Sequence, residues 1–140
     1  MRTFQITNEI HASCERVWSV LADVESWPQW TASMSKIELL DGVPLTVGSR
    51  ARVFQPKLRP AVWTISDWQP NVRFAWIAKQ PGLAVIGDHA LKAAPAGCAV
   101  TLSVSFQGLL SPLAVLMAGK LTGKYLQLES AGLKARSEGS

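Results

Sequence analysis

Alternation of apolar and polar residues runs through most of this chain. Phe4, Ile6, Asn8 and Ile10 alternate with Thr3, Gln5, Thr7 and Glu9, the period of a half-buried strand. A helix is predicted over 14–24, with Ser13 as its N-cap and Glu15 in its first turn. Val17, Trp18, Leu21 and Val24 form its apolar face. Pro28 ends that helix and fixes the chain between Trp27 and Trp30. Strands are predicted at 35–40, 49–55, 61–68, 72–79, 83–93 and 98–107. The turns between them carry Asp41-Gly42, Gln69-Pro70-Asn71, Gln80-Pro81-Gly82 and Pro95-Ala96-Gly97. Links this short make neighbouring strands antiparallel.

The strands predict a sheet with one greasy face and one wet face. Trp63, Ile65, Phe74, Trp76, Val85, Gly87, His89 and Leu91 share the greasy side, as do Val100, Leu102, Val104 and Phe106. Thr64, Arg73, Lys79, Asp88, Lys92, Thr101 and Ser103 share the wet one. The 49–55 strand is ambiguous, because Ala51 and Val53 oppose Arg50, Arg52 and Phe54. A last helix is predicted over 112–136, opened by Pro112 after Ser111. At about 100° per residue, Leu113, Met117, Leu121, Lys124 and Leu128 fall on one side. That stripe is expected to cover the greasy sheet face. A second apolar side, with Val115, Leu126 and Leu133, is expected to meet loops or a partner subunit, which allows a homodimer.

Composition narrows the class of protein without naming a task. With 140 residues, 48% of them hydrophobic, a single domain over 1–140 with a real core is expected. Disorder is expected only at the extreme C-terminus. The net charge of +4 includes one cluster, Arg50, Arg52, Lys57 and Arg59, interrupted by prolines. A nucleic-acid surface needs basic residues gathered on one face, so no nucleic-acid partner is expected. Cys14 and Cys98 lack CxxC or metal-type spacing, and the N-terminus alternates like a strand rather than a signal peptide. The longest apolar run, 109–118, is about half the length of a membrane span, so no membrane insertion is expected. Together these features predict a soluble cytoplasmic protein.

The Val17-Trp18-x-x-Leu21-x-Asp23 helix and the Trp27-Pro28-x-Trp30 segment carry a family likeness. The same holds for Gly48-Ser49-Arg50, for Trp68-x-Pro70-x-x-Arg73-Phe74-x-Trp76, and for the strand ending His89-x-Leu91. With these motifs the chain resembles the START-like, birch-pollen-allergen-like helix-grip superfamily (SRPBCC). Within it, the chain is similar to the polyketide cyclase/dehydrase-like family. The resemblance spans essentially the whole chain. It implies an α+β helix-grip fold: a seven-stranded antiparallel curved sheet, two short helices after strand 1, and a long C-terminal helix across the concave face. Such proteins share a shape while differing in task, including lipid and hormone binders and aromatase/cyclases, and fold alone does not supply function. Ser13 stands where the family usually has proline.

A pocket is expected between the greasy sheet face and the last helix, because ligand sites are apolar hollows with a few convergent polar groups. Trp63, Phe74, Trp76, Met117 and Leu121 are its expected walls. Gly87, expected beside Phe74 and Val104, either makes room in the cavity or marks a bulge. His89 points inward by register; it either contacts a ligand oxygen, moves a proton near neutral pH, or sits satisfied at the rim. Lys124 reaches into the cavity or snorkels out of it. Asp67 is in phase with Trp63 and Ile65, but roughly 9–10 Å of sheet separates it from His89, so no dyad is expected. Neither histidine has metal-ligand spacing, and no phosphate loop or nucleophile elbow is present, so neither metal nor cofactor is expected. The expected function is binding of a small hydrophobic molecule, aromatic, polyketide-like or lipid-like. The alternative is a cyclase or dehydratase acting in the same cavity, with His89 as its candidate catalytic residue.

Overall fold

The computed structural model describes residues 2–139; what the sequence predicts for Met1 and Ser140 lies outside the described residues. The strands are β1 (Arg2–Ile10), β2 (Lys36–Leu39), β3 (Arg50–Phe54), β4 (Ala61–Gln69), β5 (Arg73–Gln80), β6 (Leu83–Ala94) and β7 (Gly97–Gln107). They form one seven-stranded sheet in the order β1-β7-β6-β5-β4-β3-β2, and every neighbouring pair is antiparallel. Helix α1 (Cys14–Ala22) and a 3₁₀ helix (Val24–Gln29) follow β1, and α2 (Ser111–Glu138) closes the chain. This is the helix-grip arrangement expected from the resemblance.

Local chemistry explains the first crossover. Ser13 Oγ accepts a hydrogen bond from the Arg16 backbone N–H at 3.1 Å, meeting one of the helix's unpaired donors. At the other end, Trp27 Nε1 donates to the Leu21 carbonyl at 2.9 Å. The indole therefore occupies an orphan carbonyl of α1 while burying its own apolar body. Pro28 lies inside the 3₁₀ helix rather than beyond it.

Cys14 and Cys98 are joined as a disulfide, with their Cα atoms 5.1 Å apart. The bond joins two cysteines 84 residues apart whose spacing suggests no pairing in sequence. Ile10 pairs with Cys98 in the β1–β7 ladder, and a tight loop carries the chain from Ile10 to Cys14. Separation along the chain therefore vanishes in space. Such a bond persists more readily in an oxidising compartment than in the reducing cytoplasm that the sequence suggests.

The greasy face packs into a continuous aromatic band. Trp18 meets Trp68 and Phe74 at ring-centroid distances of 5.0 and 6.3 Å, and Trp27 meets Trp76 at 5.3 Å. A register shift in β4 between Ile65 and Asp67 turns Trp68 inward beside Phe74. The same shift puts Asp67 on the wet face, correcting its expected phase. There Arg73 bridges both acids, to Asp88 at 2.8 Å and Asp67 at 3.2 Å. The strand left ambiguous by sequence resolves cleanly: Ala51 and Val53 are buried, whereas Arg50 and Arg52 face outward beside Asp41 and Glu38. Half the sequence's basic cluster is thus already ion-paired.

Helix α2 lies across the sheet, but not on the predicted side. Met117 is 78% exposed and Leu113 51% exposed, and Lys124 is exposed too. Leu126 and Leu133, expected to meet loops or a partner subunit, are buried in the protein's own core. Val115 is partly buried; one of its methyl carbons would lie 3.7 Å from a Cβ on Gly119. The sheet-facing stripe runs instead through Ala118, Thr122, Tyr125, Leu126, Glu129 and Leu133. Small residues in its first half leave space below the helix. Gly132 lets its second half close down onto the Trp30 carbonyl, which a Cβ would approach to 1.9 Å.

Candidate functional site

The space under the first half of α2 is a cavity of about 260 Å³. Its floor is the middle of the sheet, where Trp63, Trp76, Val85 and Val104 stand on neighbouring strands. Its roof is α2, contributed by Ala114, Ala118 and Thr122. Methyl-sized roof groups opposite large indoles are what keep the space open. Well-packed interiors otherwise fill every void larger than a water.

Of the residues predicted for the site, Trp63, Trp76, Gly87 and His89 lie on the cavity wall. The other four do not. Phe74 is fully buried behind the wall, under the His89 ring. Met117 and Lys124 face outward because α2 is turned away from the predicted phase, and Leu121 is only partly buried beside them. Gly87 pairs with Val104 as expected, but with Trp76 rather than Phe74 on its other side. A Cβ on Gly87 would come within 2.8 Å of Trp76 Nε1. The absent side chain is therefore what lets that indole lie across β6. No bulge interrupts the β5–β6 ladder here.

His89 is held in one state. Its Nδ1 is 3.0 Å from the Phe74 carbonyl oxygen; a carbonyl only accepts, so Nδ1 carries the proton. The ring stacks on Phe74 at 4.1 Å and 12°, with Trp27 and Trp76 at its edges. Burial in this aromatic nest pushes its pKa down to about 4, against the hydrogen bond to Phe74 and the nearby Asp88 charge. At neutral pH the ring is thus uncharged and Nε2 is a lone-pair acceptor. Nε2 has no protein partner and is not sealed off from accessible space, unlike Trp30 Nε1 and Ser137 Oγ.

Glu129 was not singled out by its sequence context, and it lines the cavity together with His89. No hydrogen bond or ion pair holds its carboxyl among the described residues. Desolvation pushes its pKa up to about 8, so it is an uncharged acid near neutrality. The available signal was its spacing. Glu129 follows Ala118, Thr122 and Tyr125 at helical intervals, a lone acid on a stripe of small and aromatic residues. Tyr125 is committed elsewhere, its hydroxyl donating to the Pro56 carbonyl and tying α2 to the β3–β4 loop.

The cavity therefore offers a neutral acceptor in His89 Nε2 and neutral donors in the Glu129 carboxyl and the Trp76 indole. All are set in an apolar enclosure. Among the described residues, no three His, Cys, Asp or Glu side chains stand close enough together to hold a metal ion.

Residues 1–138 match the family described as polyketide cyclase / dehydrase and lipid transport. The chain belongs to that family. Among curated proteins, an uncharacterized protein of Mycobacterium tuberculosis is 25% identical over 109 residues. The match covers 73% of this chain and only 64% of that protein's length. Among solved structures, Ara h 8.0201 superposes with a TM-score of 0.74 at 16% identity, covering 99% of both chains. The di-domain ARO/CYC BexL from the BE-7585A biosynthetic pathway superposes with a TM-score of 0.74 at 18% identity. That match covers 99% of this chain and 47% of BexL. At such identities the structural likeness establishes the shared fold. Within this family, hydrophobic ligand binding and polyketide cyclisation are both compatible with the fold.

Proposed function

We propose that the protein binds a small, neutral, hydrophobic molecule bearing a hydroxyl or carbonyl group, and that it acts as a binder rather than a catalyst. The observation that carries this reading is the state of His89. A ring pinned through Nδ1 and held neutral down to about pH 4 is a poor proton shuttle near neutrality but a good hydrogen-bond acceptor. A ligand hydroxyl would donate to Nε2, while a ligand carbonyl would accept from the Glu129 acid or the Trp76 indole. The apolar wall supplies affinity and these neutral groups supply orientation.

A second reading has one observation in its favour. Glu129, with its pKa at about 8, has the protonation state of a general acid, so a cyclase or dehydratase acting on a polyketide-like substrate would protonate a carbonyl there. Family membership is compatible with both.

Native mass spectrometry of the purified protein and its His89→Gln variant separates them. Under the binding reading, the same molecule co-purifies unchanged with both, its affinity for the variant lowered about tenfold by loss of one hydrogen bond. Recovery from the parent of a cyclised or dehydrated product that a Glu129→Gln variant no longer yields would overturn it in favour of catalysis.

A further inference from the structure

One end of the cavity is ringed by the β3–β4 loop, the β5–β6 turn and the start of α2, and these segments expose an apolar surface. Leu109 is 94% exposed, Leu116 82% and Met117 78%. Leu110 packs over Gly82 of the β5–β6 turn while remaining half exposed, and Leu58 of the β3–β4 loop and Leu113 are similarly exposed. Soluble surfaces scatter single apolar residues, but a contiguous patch of this kind marks an interaction site.

The charge around the patch identifies its partner. Residues 55–60, 79–83 and 107–128 contain no Asp or Glu, yet they carry Lys57, Arg59, Lys79, Lys120 and Lys124. None of these five cations takes part in an ion pair among the described residues. On α2, Lys120 and Lys124 continue the face begun by Leu113, Leu116 and Met117 at helical spacing. Large aliphatics at a tip, with Lys120 and Lys124 further along α2 and unpaired cations on the flanking loops, match the two layers of an anionic bilayer surface. The acyl boundary takes the leucines and the headgroup phosphates take the lysines. A protein partner would need an acidic rim around an apolar hollow, whereas a membrane presents both everywhere.

We infer that this end of the molecule docks on an anionic lipid surface. Leu58, Arg59, Gln80, Leu83 and Ala114 line the cavity and belong to the same segments, so docking places the cavity's end against the bilayer. Among the described residues, no helix is long and apolar enough to cross a membrane. The attachment is peripheral. Hydrophobic cargo would then pass between lipid and cavity without crossing water.

The test is co-sedimentation of the full chain with vesicles of phosphatidylcholine alone and of equal parts phosphatidylcholine and phosphatidylglycerol. The protein should pellet with the anionic vesicles and be released by salt. Leu116→Ser/Met117→Ser and Lys120→Glu/Lys124→Glu should each weaken binding about tenfold or more while leaving circular dichroism unchanged, since these side chains are exposed. Lys92→Glu, at the far end of β6, alters net charge equally per substitution and should have little effect. Failure of the parent to bind anionic vesicles at low salt would overturn the inference, as would equal weakening by Lys92→Glu and Lys120→Glu. So would self-association that Leu116→Ser/Met117→Ser abolishes without any vesicle binding, which would make the patch a contact between copies.

Discussion

Glu129→Gln keeps its stability as pH rises from about 6.5 to about 8, while the parent protein loses about 2 kcal/mol across the same interval. In the folded protein Glu129 keeps its proton to about pH 8, against an ordinary value of 4.5 in the unfolded chain. Between those values the folded state holds one more proton, so raising the pH favours unfolding by about 1.4 kcal/mol per unit. His89 acts with the opposite sign. Its folded pKa of about 4 lies below the ordinary 6.5, so between those values the unfolded chain binds the extra proton and stability falls as pH drops. From 4.5 to 6.5 the two slopes cancel, giving a plateau, and above 6.5 only the Glu129 slope remains. Asp41 and Glu138, both lowered by hydrogen bonds to cationic partners, lose their contributions at more acid pH than this window. The glutamine variant should instead rise from 4.5 to 6.5 and then stay flat. Urea denaturation in steps from about pH 4.5 to 8.5 reads both curves. Parallel curves would mean that Glu129 is solvated and ionised throughout.

Gly132→Ala should be the most damaging of the conservative changes on α2. Alanine normally stabilises a helix interior over glycine by about 1 kcal/mol. Here its Cβ would sit 1.9 Å from the Trp30 carbonyl oxygen and 3.0 Å from its carbon. Those are backbone atoms, braced by the Trp30 N–H bond to Trp27 and by the tryptophan pair itself. The clash can be relieved only by lifting α2 or displacing the 3₁₀ helix, at an overpacking cost of about 3 kcal/mol, which outweighs the propensity gain. A lowered urea midpoint with an unchanged slope is the expected result. A midpoint at or above the parent's would show that propensity wins and that the close approach is absent.

The parts of the fold visible in sequence were those with a local cause. Strict alternation placed the strands, Ser13 announced its helix, and Ala51 and Val53 against Arg50 and Arg52 left only two choices for β3. Errors came where a distant neighbour decides. The largest aliphatics of α2, Leu113 and Met117, suggest one phase, yet over a cavity the helix turns its smallest residues, Ala114 and Ala118, inward. That inversion also hid Glu129, which looks like an ordinary solvated acid until its stripe is known to face the cavity. The β4 register shift at Ser66, the Cys14–Cys98 bond and the Trp76 indole lying over Gly87 all depend on pairings across the sheet. No local pattern encodes them. Inward His89 was legible because alternation in β6 is unbroken; its Phe74 carbonyl partner was not.

Isothermal titration calorimetry with 2-naphthol, a planar apolar probe with one hydroxyl, compares the parent protein with Ala118→Phe, whose ring would fill the hollow beneath α2. Saturable one-to-one binding by the parent, lost in a variant that remains folded, is the predicted outcome. A folded parent that takes up no naphthol, or a variant that binds it equally well, would contradict the account.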